Sequence, residues 1–131
     1  MDTGLAVARA VLVVLFVFAG AVKFIDISGT AAHIADENLP APTILAAAAG
    51  ALEVICGLMV AVGWQTRFAA LALAGYVIVL TFFFHDFWTM PAGREQINQM
   101  LHALKNLSIV GGLLFVTLAG PGRFSLEARR A

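Results

Sequence analysis

The chain has 131 residues, 61% apolar and 12% charged, and its eight basic and eight acidic residues cancel to zero net charge. A soluble domain carries about 45–50% apolar and about 25% charged residues, and one this small cannot hide such a surplus in a single core. The composition excludes disorder, a nucleic-acid binder built on excess positive charge and an ordinary soluble enzyme; it points to a single membrane domain, residues 1–131, with the lipid bilayer as partner.

A transmembrane helix needs about 20 mostly apolar residues. The first such segment runs from about Leu5 to Phe24, with Arg9 and Lys23 near its ends. Its short basic start, apolar run and Ala19-Gly20-Ala21 also resemble a cleavable signal peptide. Asp2 makes that start less positive than signals prefer, so the segment reads as a retained span. Arg9, Val13, Phe16, Gly20 and Lys23 share one face, a close-packing stripe at its Gly20 end. Lys23 either turns inward along that stripe or snorkels to the headgroups. The following loop, Asp26 to Pro42, holds Asp26, Asp36 and Glu37 but no Lys or Arg.

The second span, about Thr43 to Gly63, is interrupted only by Glu53. An unpaired charge at the centre of a span costs at least ~2.5–3.5 kcal/mol. Glu53 is therefore either protonated or faced by a cation or donor inside the bundle. Ala46, Gly50, Glu53 and Gly57 form a stripe of small residues that lets a neighbouring helix approach closely. Two roles stay open for Glu53: a hydrogen bond that fixes packing, or proton and ligand chemistry. Cys56, the single cysteine, excludes an internal disulfide and a CxxC redox pair, and reads as a small buried residue.

Trp64-Gln65-Thr66-Arg67 is a tight turn into the third span, about Phe68 to Phe84, which carries no charge. Thr81 and His85, four residues apart, stack on one face, with His85 at the outer end. Phe82, Phe83, Phe84, Phe87 and Trp88 fall where this helix leaves the membrane. They serve either as interface anchors or as the lining of an entrance for a flat hydrophobic ligand. After Pro91 and Gly93, Ile97, Met100, Leu101 and Leu104 recur at helical spacing from Arg94 to Asn106. This stretch leads into the apolar run Leu107 to Gly120, and the fourth span covers about residues 101–120. His102, Lys105 and Asn106 lie within one turn of each other.

The fold is thus all-α: a four-helix transmembrane bundle, antiparallel and up-and-down, whose small-residue stripes also permit a homo-oligomer. Four crossings put Arg9, Arg67, Arg123, Arg129 and Arg130 on the side of both termini, against Lys23, Arg94 and Lys105 opposite. The positive-inside rule then makes both termini cytoplasmic. Lys23, His85, His102, Lys105 and Asn106 all reach the outer half, above Glu53. Their convergence predicts a polar pocket opening outward, roofed by the aromatics Phe82 to Trp88. Glu53, His85 and Lys105 are the candidate catalytic residues; Lys23, Thr81, Trp88 and Asn106 are the candidate cofactor-binding residues. No metal site is expected, because His33, His85 and His102 lack ligand spacing within a helix. A bis-histidine haem between His85 and His102 is conceivable in a bundle, but no other feature supports it.

The pattern resembles the DoxX family of small four-helix bacterial membrane proteins. The resemblance rests on Arg9, Phe18-Ala19-Gly20 and Lys23, then Glu53, Gly57, Gly63 and Arg67. It continues through Thr81-Phe82-Phe83-Phe84-His85-Asp86-Phe87-Trp88, Leu104-Lys105-Asn106-Leu107 and Gly111-Gly112-Leu113-Leu114. Gly120-Pro121-Gly122 and Ser125-Leu126-Glu127 close it; the family tends to end the last tripeptide in aspartate. The resemblance implies a bacterial cytoplasmic-membrane protein with both termini inside and a link to redox metabolism. The family is named for a subunit of a thiosulfate:quinone oxidoreductase; other members are associated with quinone stress and with a complex containing superoxide dismutase and a sulfurtransferase. Redox partner proteins and a quinone are the expectations that follow, since this chain carries no redox-cofactor motif or thiol pair of its own. Three functions compete: a quinone-interacting oxidoreductase subunit, a non-catalytic membrane scaffold or assembly subunit, and a small proton-coupled carrier. The last is disfavoured by the lack of an inverted repeat.

Overall fold

Hydrocarbon offers no water to a peptide group, so each crossing segment must close its own backbone hydrogen bonds as helix. The computed structural model describes residues 2–129. They form α1 (Asp2–Ile25), α2 (Ile27–Asp36), α3 (Pro42–Val62), α4 (Thr66–Phe84) and α5 (Arg94–Ala119), with a 3-10 turn at Phe87–Thr89. Among these residues there is no strand. The four helices α1, α3, α4 and α5 are long and apolar enough to cross a membrane. Each matches an expected span, and the amphipathic stretch from Arg94 is continuous with the last one. Arg130, counted above toward the terminal side, lies outside the described residues.

The element absent from the sequence reading is α2, which occupies most of the acidic loop. Asp26 caps it, its side chain accepting from the Gly29 amide at 2.9 Å. Ala31 and Ile34 are buried against Ala46 of α3, with Ile27, Leu39 and Phe84 around them. Ile27, Ala31 and Ile34 do follow helical spacing, but a ten-residue helix is too short to stand out in so apolar a chain. Pro42 opens α3 at a position where its missing N–H costs nothing, and Gly63 closes it with a left-handed φ of 73°.

Close contacts define the topology. Gly20 meets Gly50, and Gly57 meets Phe16 and Val17, so α1 and α3 run antiparallel. Glu53 reaches Tyr76 across α3 and α4, and Thr81 reaches Asn106 across α4 and α5. The closest pairings are α1 with α3 and α4 with α5; α1 touches α5 only sparsely. The stripes expected to face inward do so: Arg9, Val13, Phe16 and Gly20 are the buried residues of α1, while Ala46, Gly50, Glu53 and Gly57 are buried on α3. Between them lies a core that includes Val13, Phe16, Cys56, Val60, Leu73, Val77 and Leu113. The outer faces are as apolar as the core. Leu118 is 80% exposed and Ile44 71%, as suits side chains whose solvent is lipid.

Beyond α5 the tail folds back beneath the bundle. The amides of Leu126 and Glu127 donate to the carbonyls of Val62 and Gly63 at 3.1 and 3.0 Å. Glu127 Oε1 accepts from the Thr66 amide at 2.7 Å and its hydroxyl at 3.1 Å, so a tail carboxylate caps the positive N-terminus of α4. This is a physical use for the acidic residue that closes the family-like tail. Both described chain ends and the α3–α4 turn therefore share one end of the bundle.

A Cβ at Gly20 would lie 2.8 Å from the Gly50 carbonyl oxygen and from Val54 Cγ2, whereas one at Gly111 would meet nothing within 4 Å. Gly20→Ala is therefore expected to destabilise the bundle by about 1–3 kcal/mol through overpacking. Gly111→Ala should be neutral or stabilise α5 by up to about 1 kcal/mol. Thermal unfolding of the two variants in detergent checks the contrast.

Candidate functional site

Glu53 lies on the small-residue stripe of α3, so the side chain that α1 brings nearest decides its state. That side chain is Lys23, one turn beyond Gly20 on the same face of α1. Lys23 Nζ donates to Glu53 Oε2 at 2.8 Å. The other carboxylate oxygen, Oε1, accepts from the Tyr76 hydroxyl of α4, also at 2.8 Å. Glu53 is nearly inaccessible, with 4% of its side chain exposed, while Lys23 keeps 21%. The carboxylate is thus paired, and its second oxygen is satisfied by a neutral donor, which is what a buried charge requires.

Tyr76 also borders an apolar cavity of about 330 Å³. Its walls include Leu52, Val79, Leu80, Phe83 and Phe84, and Ile34 of α2 and Leu39 close it from the loop side. Tyr76 therefore links two environments: it lines the cavity, and its hydroxyl is engaged by the buried carboxylate. Tyr76 is not among the residues expected from the sequence to be functional. A signal existed, since Glu53 is eleven residues before Trp64 and Tyr76 eleven after Gln65. A tight antiparallel hairpin puts such positions at one depth, and a buried phenol needs a partner.

The remaining candidates gather elsewhere. Thr81, Trp88 and Asn106 border a second cavity, of about 240 Å³, together with Phe82, Ile78 and Val110. Asn106 Nδ2 donates to Thr81 Oγ1 at 3.0 Å, and the Thr81 hydroxyl donates to the Val77 carbonyl at 2.7 Å. Phe82 and Trp88 pack with ring centroids 5.8 Å apart. Beyond this cavity the His85 and His102 rings stack, 5.2 Å between centroids and 15° between planes. His85 Nδ1 donates to Gln99 Oε1 at 2.7 Å, and Lys105 Nζ donates to His102 Nδ1 at 3.2 Å. Stacked imidazoles present faces to each other, an arrangement that does not fit an iron held between their nitrogens.

The expected convergence of several cations above Glu53 thus resolves into one cation, Lys23, with Lys105 exposed at the helix surface. The reason is helical rotation. Successive residues on a helix differ by about 100°. Asn106 turns toward α4 to reach Thr81, and this carries Lys105 to the outside. Likewise the aromatics divide: Phe83 and Phe84 border the cavity beside Tyr76, while Phe82 and Trp88 border the other. No group of three or more His, Cys, Asp or Glu side chains able to hold a metal occurs among the described residues.

Removing one member of a buried ion pair strands the other, at a cost of about 3–5 kcal/mol, whereas replacing both by apolar residues is often neutral. Lys23→Met is therefore expected to lower stability in detergent much more than the double variant Lys23→Met, Glu53→Met. Tyr76→Phe, which removes one bond to a charged acceptor, should cost about 1.5–3 kcal/mol. Melting temperatures of the purified variants give the order.

Comparison with known proteins places this architecture. The DoxX family profile matches residues 4–86. The chain is 30% identical over 125 residues to the inner membrane protein YphA of Escherichia coli, covering 95% of this chain and 89% of that one. It is 32% identical over 126 residues to the inner membrane protein YqjF of the same organism, covering 96% and 91%. A shorter similarity, 34% over 82 residues, extends to a Surfeit locus protein 4 homolog of Schizosaccharomyces pombe and covers 60% of this chain and 26% of that protein. No solved structure matches. With four apolar helices, a profile match over most of its length and two near-full-length inner-membrane relatives, the chain is an integral membrane protein that belongs to the DoxX family.

Proposed function

We propose that this protein is a quinone-linked subunit of a redox complex in the bacterial cytoplasmic membrane, with both termini on the cytoplasmic side. The observation that carries this reading is Tyr76, which joins an apolar cavity of about 330 Å³ to the buried Glu53 carboxylate. A quinone is flat and apolar with two carbonyl oxygens at its edge, and when bound it supplies two-electron, two-proton chemistry. The cavity walls fit its ring: apolar faces from Leu52, Val79 and Phe83, with the Tyr76 side chain among them.

The chain's own residues have definable tasks in this reading. Phe83 and Phe84 exclude water and orient a ring. Tyr76 can turn its hydroxyl from Glu53 to a ligand oxygen, and Glu53 can hold the proton exchanged there, with Lys23 keeping the carboxylate ready to receive it. A bound quinone would supply the redox chemistry, and a partner redox protein would exchange the electrons with it. Thr81, Trp88 and Asn106 form a second contact region for the same kind of ligand. His85 and Lys105, beside His102, would hold or pass protons at the edge of the bundle.

One observation favours a second reading, that of a non-catalytic assembly subunit: both carboxylate oxygens of Glu53 are satisfied within the chain, as a purely structural pair would be. Glu53→Gln separates the two. It preserves volume and leaves Lys23 free to snorkel. For the quinone-linked subunit, the variant assembles normally while quinone turnover by the complex falls on the order of 10²-fold. For the assembly subunit, abundance and complex formation fall in step with activity. Unchanged turnover with normal assembly would overturn the assignment of Glu53 to proton exchange.

A further inference from the structure

At the end of the bundle that carries both chain ends, Arg9 is 2% exposed. Among the described residues its one hydrogen bond runs from Nη2 to the Phe124 carbonyl at 2.8 Å, a neutral acceptor. Nε and Nη1 are buried and have no partner among the described residues. Arg9 lines a cavity of about 200 Å³ in the seam between α1 and α5, with Leu12, Gly112, Phe115 and Val116. Gly120 forms another wall, and the Arg67 guanidinium lies 3.2 Å from where a Cβ at Gly120 would sit.

Among the described residues no carboxylate forms a salt bridge with Arg9. Glu127, near enough to Arg9 to interact with its charge, gives its Oε1 to the two donors of Thr66. Asp2 pairs with Arg123 at 3.8 Å. The Arg9 guanidinium thus borders a cavity whose remaining walls are apolar, and the Arg67 guanidinium lies beside its Gly120 wall. A guanidinium with N–H groups buried and unpaired calls for an anion with several acceptor oxygens, and phosphate matches its fork of donors.

We propose that this seam binds the phosphodiester headgroup of a membrane phospholipid. Arg9 holds the phosphate from within the bundle and Arg67 from its edge. The acyl chains leave along Leu12, Phe115 and Val116. Three observations favour a lipid over a free anion. The seam is the sparsest contact between adjacent spanning helices. Its walls are apolar except for Arg9, and Phe115 is 63% exposed on the lipid-facing side. Finally, the cavity runs along the first three turns of α1 and the last two turns of α5, toward the end of the bundle that carries both described chain ends. The site shares no residue with the Glu53 network.

The test uses the full chain, purified in detergent and delipidated. Phosphatidylglycerol, diacylglycerol of the same chain length and inorganic phosphate are added separately, with native mass spectrometry and melting temperature as readouts. The expected result is one phosphatidylglycerol retained per chain with a raised melting temperature, no such effect of diacylglycerol, and no displacement by inorganic phosphate. Arg9→Gln should lower phosphatidylglycerol occupancy on the order of tenfold, as loss of bonds to a charged group implies. A Cβ at Gly112 would already lie 3.1 Å from Leu12 Cδ1, so Gly112→Leu fills the seam while keeping Arg9 and should lower occupancy as much. It decides the matter if Arg9→Gln does not fold. Equal binding of diacylglycerol, or stabilisation by inorganic phosphate alone matching that by the lipid, overturns the proposal. So does wild-type occupancy in a folded variant.

Discussion

A bilayer does not tolerate a lone charge at its centre, and the structure depends on how Glu53 meets that constraint. Pairing with Lys23 needs α1 and α3 within reach of one short contact, which the facing glycines Gly20 and Gly50 permit. The second carboxylate oxygen then needs a donor from a third helix, and Tyr76 of α4 provides it. One buried charge therefore sets the mutual position of three spans. Two of these helices, α3 and α4, with α2 laid over them, leave the apolar cavity beside Tyr76. Packing and candidate chemistry have a common origin here: without the charge there would be less need to hold the helices in this register.

The two ends of the bundle handle polarity differently. At the end away from the termini, His85, His102, Gln99 and Lys105 satisfy one another near the surface, where headgroups and water share the cost. At the terminal end the tail carries the work. Glu127 caps α4, backbone pairs tie the tail to the α3–α4 turn, and the Phe124 carbonyl accepts from Arg9. Burying an arginine under a short tail leaves Nε and Nη1 without a partner among the described residues, and in the proposed site a phospholipid headgroup supplies the acceptors. The bundle is then completed at one seam by lipid rather than by side chains.

Much of the fold was legible in the sequence. Spans, turns and inward stripes follow from hydropathy and residue size, and the buried faces of α1 and α3 are those the glycines mark. The importance of Glu53 was legible too, because its cost depends on depth alone. Its partners were harder to read. Lys23 was open between pairing and snorkelling, and Tyr76 was overlooked because a tyrosine in an apolar span attracts no attention until a carboxylate is seen opposite. Lys105 seemed equal to Lys23 by position along its helix. The phase of α5, fixed by the Asn106–Thr81 bond, turned it outward. The helix α2 was hidden for want of contrast with its surroundings.

The sequence by itself determined the solvent, the number of crossings, their antiparallel order and which charge the bilayer must accommodate. These follow from transfer free energies, which sum along the chain and need no knowledge of neighbours. Only the tertiary structure decided which cation meets Glu53, that the polar groups divide among three places rather than one, and that Arg9 is buried with donors to spare. Those outcomes depend on rotation about each helix axis and on approach distances of a few ångströms, quantities set jointly by helices far apart in sequence.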